Sequence, residues 1–377
     1  MARRKRFDFV GLAVGAAIAL IPELFTPIER IGILVVTIAI SFAIYRHYRS
    51  EDEDDDGDGG MIDLHLTASA VEPGGPTFLT AQVQDWKSRL LHEFAGHADI
   101  YGELKYHEPV PEVGGDFVLT AEQKREAARM ADRLRREGKT VHMQLVLSGE
   151  CEEWKPERYC IPEKADWHTD PVVLPANKIQ YSAVRALRKD GYCVPVLSAN
   201  AVLVCSERRV IVLQRRSQQM DTFEANIHTV GGGYQHDYPG DGELIETATR
   251  EVYEELKLQI KFSRFLPKVT LGELSTGFIQ VNYLGVRVLP TQIDQMAPKT
   301  LEGVNYTVSY DALENELKKP GWVPTGKLAI FVWLAFGAPE SATDGESARF
   351  GDKTAAQLFD ALVPAADAMP KAASAKM

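Results

Sequence analysis

The chain runs to 377 residues and carries 53 acidic against 42 basic side chains, a formal net charge of −11. So acidic a balance excludes a general binder of polymeric nucleic acid, because such binding rests on neutralising many phosphates. Cys151, Cys160, Cys193 and Cys205 show no CxxC spacing, which excludes a thiolate metal site and points to buried, reduced thiols.

The first fifty residues carry +4, against the sign of the whole. Within them Phe9 to Ile21 and Ile31 to Tyr45 contain no charged residue. Extended to about residues 8–25 and 28–46, each run approaches the lower limit of a bilayer-spanning helix. Pro22 and Pro27 mark the turn between them. Arg3, Arg4, Lys5 and Arg6 precede the pair, Arg46 and Arg49 follow it, and the loop holds only Arg30. Positive flanks predict that both chain ends are cytoplasmic. A signal peptide would explain the first run alone, but no small-residue cleavage site follows; a buried hairpin of a soluble protein is the other alternative. Gly11 and Gly15 form a GxxxG pair that permits close helix packing in lipid, although alanine- and glycine-rich segments also produce it by chance.

Residues 1–49 are thus read as a two-helix transmembrane hairpin, and residues 50–60 as a solvated acidic linker with seven acidic residues from Glu51 to Asp58. Residues 61–181 form a mixed α/β region, 182–340 the chemistry-bearing domain, and 341–377 a tail with a short helix. In the mixed region Ile62 to Thr67 alternates like a strand. Thr80 to Phe94 reads as a helix capped by Thr80, with Val83, Trp86, Leu90 and Phe94 on one stripe. Thr120 to Gln123 is a capping box that opens a helix to Glu137, stopped by Gly138. Val141 to Leu147 alternates like a strand. His92 and His97, five apart, diverge by about 140° on a helix and read as surface residues rather than zinc ligands. The arginines between Lys124 and Arg136 are interleaved with acids and read as a solvated helix face.

The chemistry concentrates between Gly242 and Leu258. On a helix Leu244, Ala248, Val252 and Leu256 form a buried stripe, while Glu251, Glu254 and Glu255 fall at i, i+3 and i+4 on one face. Three carboxylates that close repel one another, and a hard cation such as Mg²⁺ or Mn²⁺ is the natural way to hold them together. A solvated acidic face is the competing reading of the helix alone.

The context resembles the Nudix family, whose box runs Gly, five residues, Glu, seven residues, then REUxEExGU with U aliphatic. Arg250 to Glu255 carries REUxEE intact. Val210 to Ser217 looks like the family's strand and following turn, Gly231-Gly232-Gly233 like its Gly-Gly turn, and Glu302-Gly303 with Val308 to Leu317 like its later strand and final helix. The resemblance runs from Tyr192 to Gly337. Three departures stand out: eight residues between Gly233 and Gly242, six rather than seven between Glu243 and Arg250, and Lys257 in place of the box glycine.

The resemblance implies a Nudix fold, a mixed sheet in an α/β/α sandwich. It implies that Glu251, Glu254 and Glu255 hold the metal, with Glu243 joining them as catalytic residues if the site hydrolyses. Gln214, Arg215 and Arg216 from the turn, Gly232 and Gly233 by close backbone approach, and Tyr234 by base stacking are the expected ligand contacts. Hairpin, acidic linker and Nudix-like domain together resemble the transmembrane–Nudix effectors of bacterial cyclic-oligonucleotide-based anti-phage signalling systems (CBASS). That resemblance implies an inner-membrane homo-oligomer that senses a cyclic di- or trinucleotide made by a cGAS-like nucleotidyltransferase. On sensing it, the hairpins breach the lipid bilayer. A membrane-tethered Mg²⁺-dependent hydrolase of nucleoside diphosphate derivatives is the alternative, and a scaffold that recruits a protein partner is a third.

Overall fold

The computed structural model describes residues 78–101, 108–147, 172–218, 220, 222–238, 242–263, 266–338 and 348–363, with side chains from Trp86 onward. The hairpin with Gly11 and Gly15, the acidic linker, the strand at Ile62 to Thr67, Cys151 and Cys160 lie outside them. Among the described residues no helix is long and apolar enough to cross a membrane.

The sheet that carries the site is built from β1 (Ala98–Ile100), β5 (Leu197–Cys205), β6 (Val210–Arg216), β7 (Ile227–His228), β8 (Val230–Gly233), β9 (Lys268–Glu273), β10 (Ile279–Arg287) and β11 (Gly303–Ser309). Its order is β1-β9-β10-β5-β6-β11, with β7 on β6 and β8 on β5. Only β10 and β5 run parallel in this sheet; the other pairs are antiparallel. The central strands β5, β9 and β10 are buried on both faces, as helix-covered strands must be, whereas the edge strand β11 is exposed at alternate positions.

Alternation sorts each strand into two cores. Leu197, Ala199, Ala201 and Leu203 face the box helix Leu244–Leu256, whose Leu244, Ala248, Val252 and Leu256 meet them. Val202, Val204, Ile211 and Leu213 face the other way, against the helices Phe78–Glu93, Pro324–Ala335 and Ala355–Leu362. The result is a sheet between two helical layers. A smaller sheet, β2 (Val110–Asp116), β4 (Val173–Gln180) and β3 (Met143–Leu147), carries the helices Ala121–Arg136 and Tyr181–Lys189. The bridge from Val146 to Val196 joins it to the start of β5.

Several expectations are met. The helix from Ala121 is capped by Thr120 through a capping box and stops at Gly138, whose φ is +73°. Trp86, Leu90 and Phe94 are buried in line, and His92 and His97 are exposed. Arg129, Arg133 and Arg135 pair with acids of their own helix or its C-cap on the exposed face. Cys193 and Cys205 are free thiols, the second buried.

Others are corrected. The first helix already runs at Phe78, so Thr80 lies inside it rather than capping it. Gly231-Gly232-Gly233 is not a turn but the strand β8, because its backbone is needed to pair with Ser198 to Asn200. Val308 to Leu317 gives the end of β11, a 3₁₀ turn and one helical turn, Leu313–Leu317. The long helix there is Pro324–Ala335, whose central residues are buried on nearly every side. A helix apolar all round shows no face in its sequence, so periodicity cannot find it.

Leu90 is fully buried where the segment ahead of the box core packs on it. Leu90→Ala should therefore lower stability by about 2–5 kcal/mol in a single cooperative transition of residues 61–377. Loss confined to a separate early transition in chemical denaturation would make that segment an independent unit.

Candidate phosphate and metal site

The box helix has its buried stripe toward the sheet, which turns Glu251 and Glu255 toward β8 rather than solvent. Both are almost wholly buried. The glycine strand makes this possible: a Cβ on Gly232 would stand 2.5 Å from the Glu251 carboxyl carbon, and Gly231 N–H donates to Glu255 Oε2 at 3.1 Å. Arg250 donates to Glu251 Oε1 at 2.7 Å, to Glu254 Oε2 at 3.1 Å and to the Gly233 carbonyl at 2.9 Å. Asn305 of β11 donates to the Glu255 carbonyl at 2.7 Å and so holds the last turn. Lys257 then ends the helix with φ +61°, so the box-glycine position keeps the left-handed conformation without a glycine.

Glu251, Glu255 and Glu302 offer one carboxylate oxygen each within 4.8 Å of one another. Burial pushes the Glu251 carboxyl up to about 8, with Arg250 pulling it back and Glu302 and Glu254 adding to the rise. Burial likewise raises Glu255 well above the usual carboxylate range, reinforced by Glu302 and Glu251, while Arg216 opposes it. The ion pair with Arg250 and the burial of Glu251 pull its carboxyl in opposite directions. Burial wins, since a guanidinium that Glu251 shares with the more exposed Glu254 does not offset taking the Glu251 carboxylate out of water. Without added positive charge the cluster must keep protons, and a divalent cation is the alternative compensation. The hard oxygen donors fit Mg²⁺ or Mn²⁺. When bound, such an ion supplies Lewis-acid polarisation of a phosphoryl oxygen.

The predicted residues divide accordingly. Glu251 and Glu255 are brought together, but Glu254 stands outside the cluster with its carboxylate on Arg250, and Glu302 takes its place. Glu302 lies 47 residues beyond Glu255, and no helical spacing could have linked them. Only its position just before Gly303 of β11 hints at a role. Glu243 caps the opposite end of the helix, roughly 12 Å of rise from Glu251. Its charge is felt there by Glu108 and Tyr283.

Gln214, Arg215 and Arg216 are in the strand β6, not in a turn, and alternation separates them. Arg216 faces the box helix and acts electrostatically on Glu255; its Nε is buried and has no hydrogen-bond partner among the described residues. Arg215 shares the face of Ile211 and Leu213, and donates to the Ala225 carbonyl. Gln214 is buried and donates to Asn305 at 3.2 Å, a structural link rather than a ligand contact. Tyr234 is buried in the core and parallel to the His236 ring at 6.5 Å, so it cannot stack a ligand base. Gly232 and Gly233 do make close backbone approaches, but to Glu251 and Gln144.

A further, half-buried carboxylate, Glu108, stands at the start of the box helix, where no sequence pattern pointed. Glu108 accepts from Ile245 N–H in the first helical turn at 3.0 Å and from the Tyr283 hydroxyl, with Lys268 Nζ at 3.8 Å. Burial raises it above its ordinary value.

The raised carboxyls set a pH dependence. Protonated, Glu251 and Glu255 sit buried at little cost; ionised, they do not. The stability they contribute is full below the ordinary carboxylate range and is lost as pH rises to about 8. A divalent cation needs the ionised forms, so its affinity rises over the same interval. The thermal shift on adding Mn²⁺ should be small near pH 5 and large above about 8, and Glu251→Gln should remove most of it. Equal shifts at both pH values would place the ion elsewhere.

The profile of the family described as "NUDIX domain" matches residues 195–328. No curated protein sequence matches the chain. Among solved structures, a MutT protein from Methanosarcina mazei Go1 aligns at 18% identity over 35% of this chain and 88% of its own, with a TM-score of 0.27. A MutT Nudix hydrolase from Burkholderia pseudomallei aligns at 16% over 31% and 84%, with a TM-score of 0.23. A bifunctional NMN adenylyltransferase/ADP ribose pyrophosphatase from Francisella tularensis, complexed with AMP and a Mn ion, aligns at 12% over 40% and 44%, with a TM-score of 0.30. Residues 195–328, which hold the box helix, its glycine strand and Glu302, are a Nudix domain.

Proposed function

We propose that this Nudix domain binds a nucleotide by its phosphates, through a divalent cation on Glu251, Glu255 and Glu302 and through Arg216. The observation that carries this is Arg216. A guanidinium beside a carboxylate cluster, its buried Nε without a hydrogen-bond partner among the described residues, is suited to a charge-assisted bond with a phosphate. Within the whole chain the domain is the sensor of a membrane-anchored anti-phage effector. The nucleotide is then a cyclic di- or trinucleotide, and its binding favours an assembled state in which the hairpins of residues 1–49 breach the bilayer. Two uncharged runs flanked by basic residues, an acidic linker and a Nudix domain in that order support this reading.

The cluster of Glu251, Glu255 and Glu302 also favours a second reading, a tethered Mg²⁺- or Mn²⁺-dependent hydrolase. Calorimetric titration of the full chain in detergent with a panel of cyclic di- and trinucleotides, run beside turnover assays on nucleoside diphosphate derivatives, separates the two. Binding without turnover supports the sensor; turnover in the ordinary range of about 1–10³ s⁻¹ overturns it in favour of the enzyme.

The strand register adds a sharper test. Arg216→Ala should weaken binding of the phosphate ligand by roughly 10- to 100-fold, the loss of one charged hydrogen-bonding group. Arg215→Ala, on the opposite face of β6, should leave affinity unchanged. The reverse pattern would move the ligand to the other side of the sheet.

A further inference from the structure

The first part of the connection after Gly233, residues 234–238, is held from outside the Nudix domain. His236 N–H donates to the Met143 carbonyl of β3 at 2.7 Å, and the Asp237 carboxylate accepts from Met143 N–H at 3.0 Å. Tyr234 is locked in the core ahead of these two bonds. The chain thereby delivers Tyr238 above the box arginine, with the guanidinium carbon of Arg250 5.4 Å from its ring centroid. Arg250 itself contacts Glu251, so the ring stands one side chain away from the carboxylate cluster. Unlike Tyr234, Tyr238 is 41% exposed. One face of the ring lies over Arg250, and the exposed remainder is open to a ligand.

Resting on the phosphate-binding reading above, we propose that Tyr238 is the stacking platform of the site. It takes the heterocyclic base of a nucleotide whose phosphates lie at Glu251, Glu255, Glu302 and Arg216. Arg250 supports the ring from beneath by a cation–π contact, and the base covers its outer face. The lengthened connection and its anchorage on β3 then have a purpose, which is to hold that ring over the helix. Specificity for the base is set by residues outside the box.

Two non-hydrolysable probes that share a diphosphate test this: adenosine 5′-(α,β-methylene)diphosphate, and methylenediphosphonate, which has no base. Both are titrated with Mn²⁺ into the full chain in detergent. The nucleoside probe should bind the unaltered protein more tightly. Tyr238→Ala should weaken it by roughly 10- to 100-fold, to near the level of methylenediphosphonate, whose own affinity stays constant. Tyr238→Phe should keep the original affinity for both. Unchanged affinity of the nucleoside probe in Tyr238→Ala would overturn the proposal. So would an equal loss for both probes, which would make Tyr238 a mere cover for Arg250. If methylenediphosphonate fails to bind the unaltered protein, the phosphate reading falls and the platform loses its site. A base-dependent loss seen against intact diphosphonate binding upholds both.

Discussion

Two glutamates lie buried side by side at the C-terminal end of the box helix, and the rest of the site is arranged around that cost. Isolated buried carboxylates are expensive, and a third, Glu302, approaches them from β11. The protein meets the cost in pieces. Arg250 gives one guanidinium to Glu251 and Glu254, Gly231 gives an N–H to Glu255, and Arg216 lies close enough to lower the Glu255 carboxyl. These do not suffice, as the upward shifts of both glutamates show. A divalent cation would compensate such a deficit. The glycine strand is part of the same arrangement, because any side chain at position 232 would occupy the space of the Glu251 carboxyl group.

What the sequence reveals of this follows local periodicity and stops where periodicity stops. The buried stripe of the box helix and the shared face of its glutamates are legible because both repeat along one helix. Glu302 is not, since it reaches the cluster through sheet order rather than spacing. The strand β6 shows the same limit from the other side. Three polar residues in a row suggest one ligand-binding turn. A strand sends alternate residues to opposite faces, and so Arg216 meets Glu255 while Arg215 meets solvent and the Ala225 carbonyl. Likewise nothing in Tyr234 or Tyr238 as letters tells which is buried. That is decided by where the connection is pinned, and the pin is Met143, some ninety residues upstream.

The segment ahead of the Nudix domain touches the box at both ends. Glu108 accepts from the first turn of the helix at Ile245, and Gln144 fills the space above Gly233, where a Cβ would stand 2.5 Å from its Nε2. Strand β1 extends the central sheet beyond β9. These contacts place the helix start, the glycine strand and the connection between them under the control of one upstream region.

The departures from the family pattern then have a common physical basis. A short Gly-to-Glu connection can be held by its own turn geometry, whereas a connection of eight residues has more conformations to lose and needs fixed points. Here the fixed points are the two bonds to Met143, supplied by a strand that the Nudix domain does not contain. Lys257 follows the same logic at the other end of the helix. A lysine held at φ +61° is strained by roughly 1 kcal/mol relative to glycine, and the surrounding bonds over-determine it: its own N–H donates to the Tyr253 carbonyl, while Asn305 holds the neighbouring Glu255 carbonyl. The helix is held at both ends by partners from outside it. The carboxylates of Glu251 and Glu255 are therefore placed by contacts at both ends of the helix that carries them.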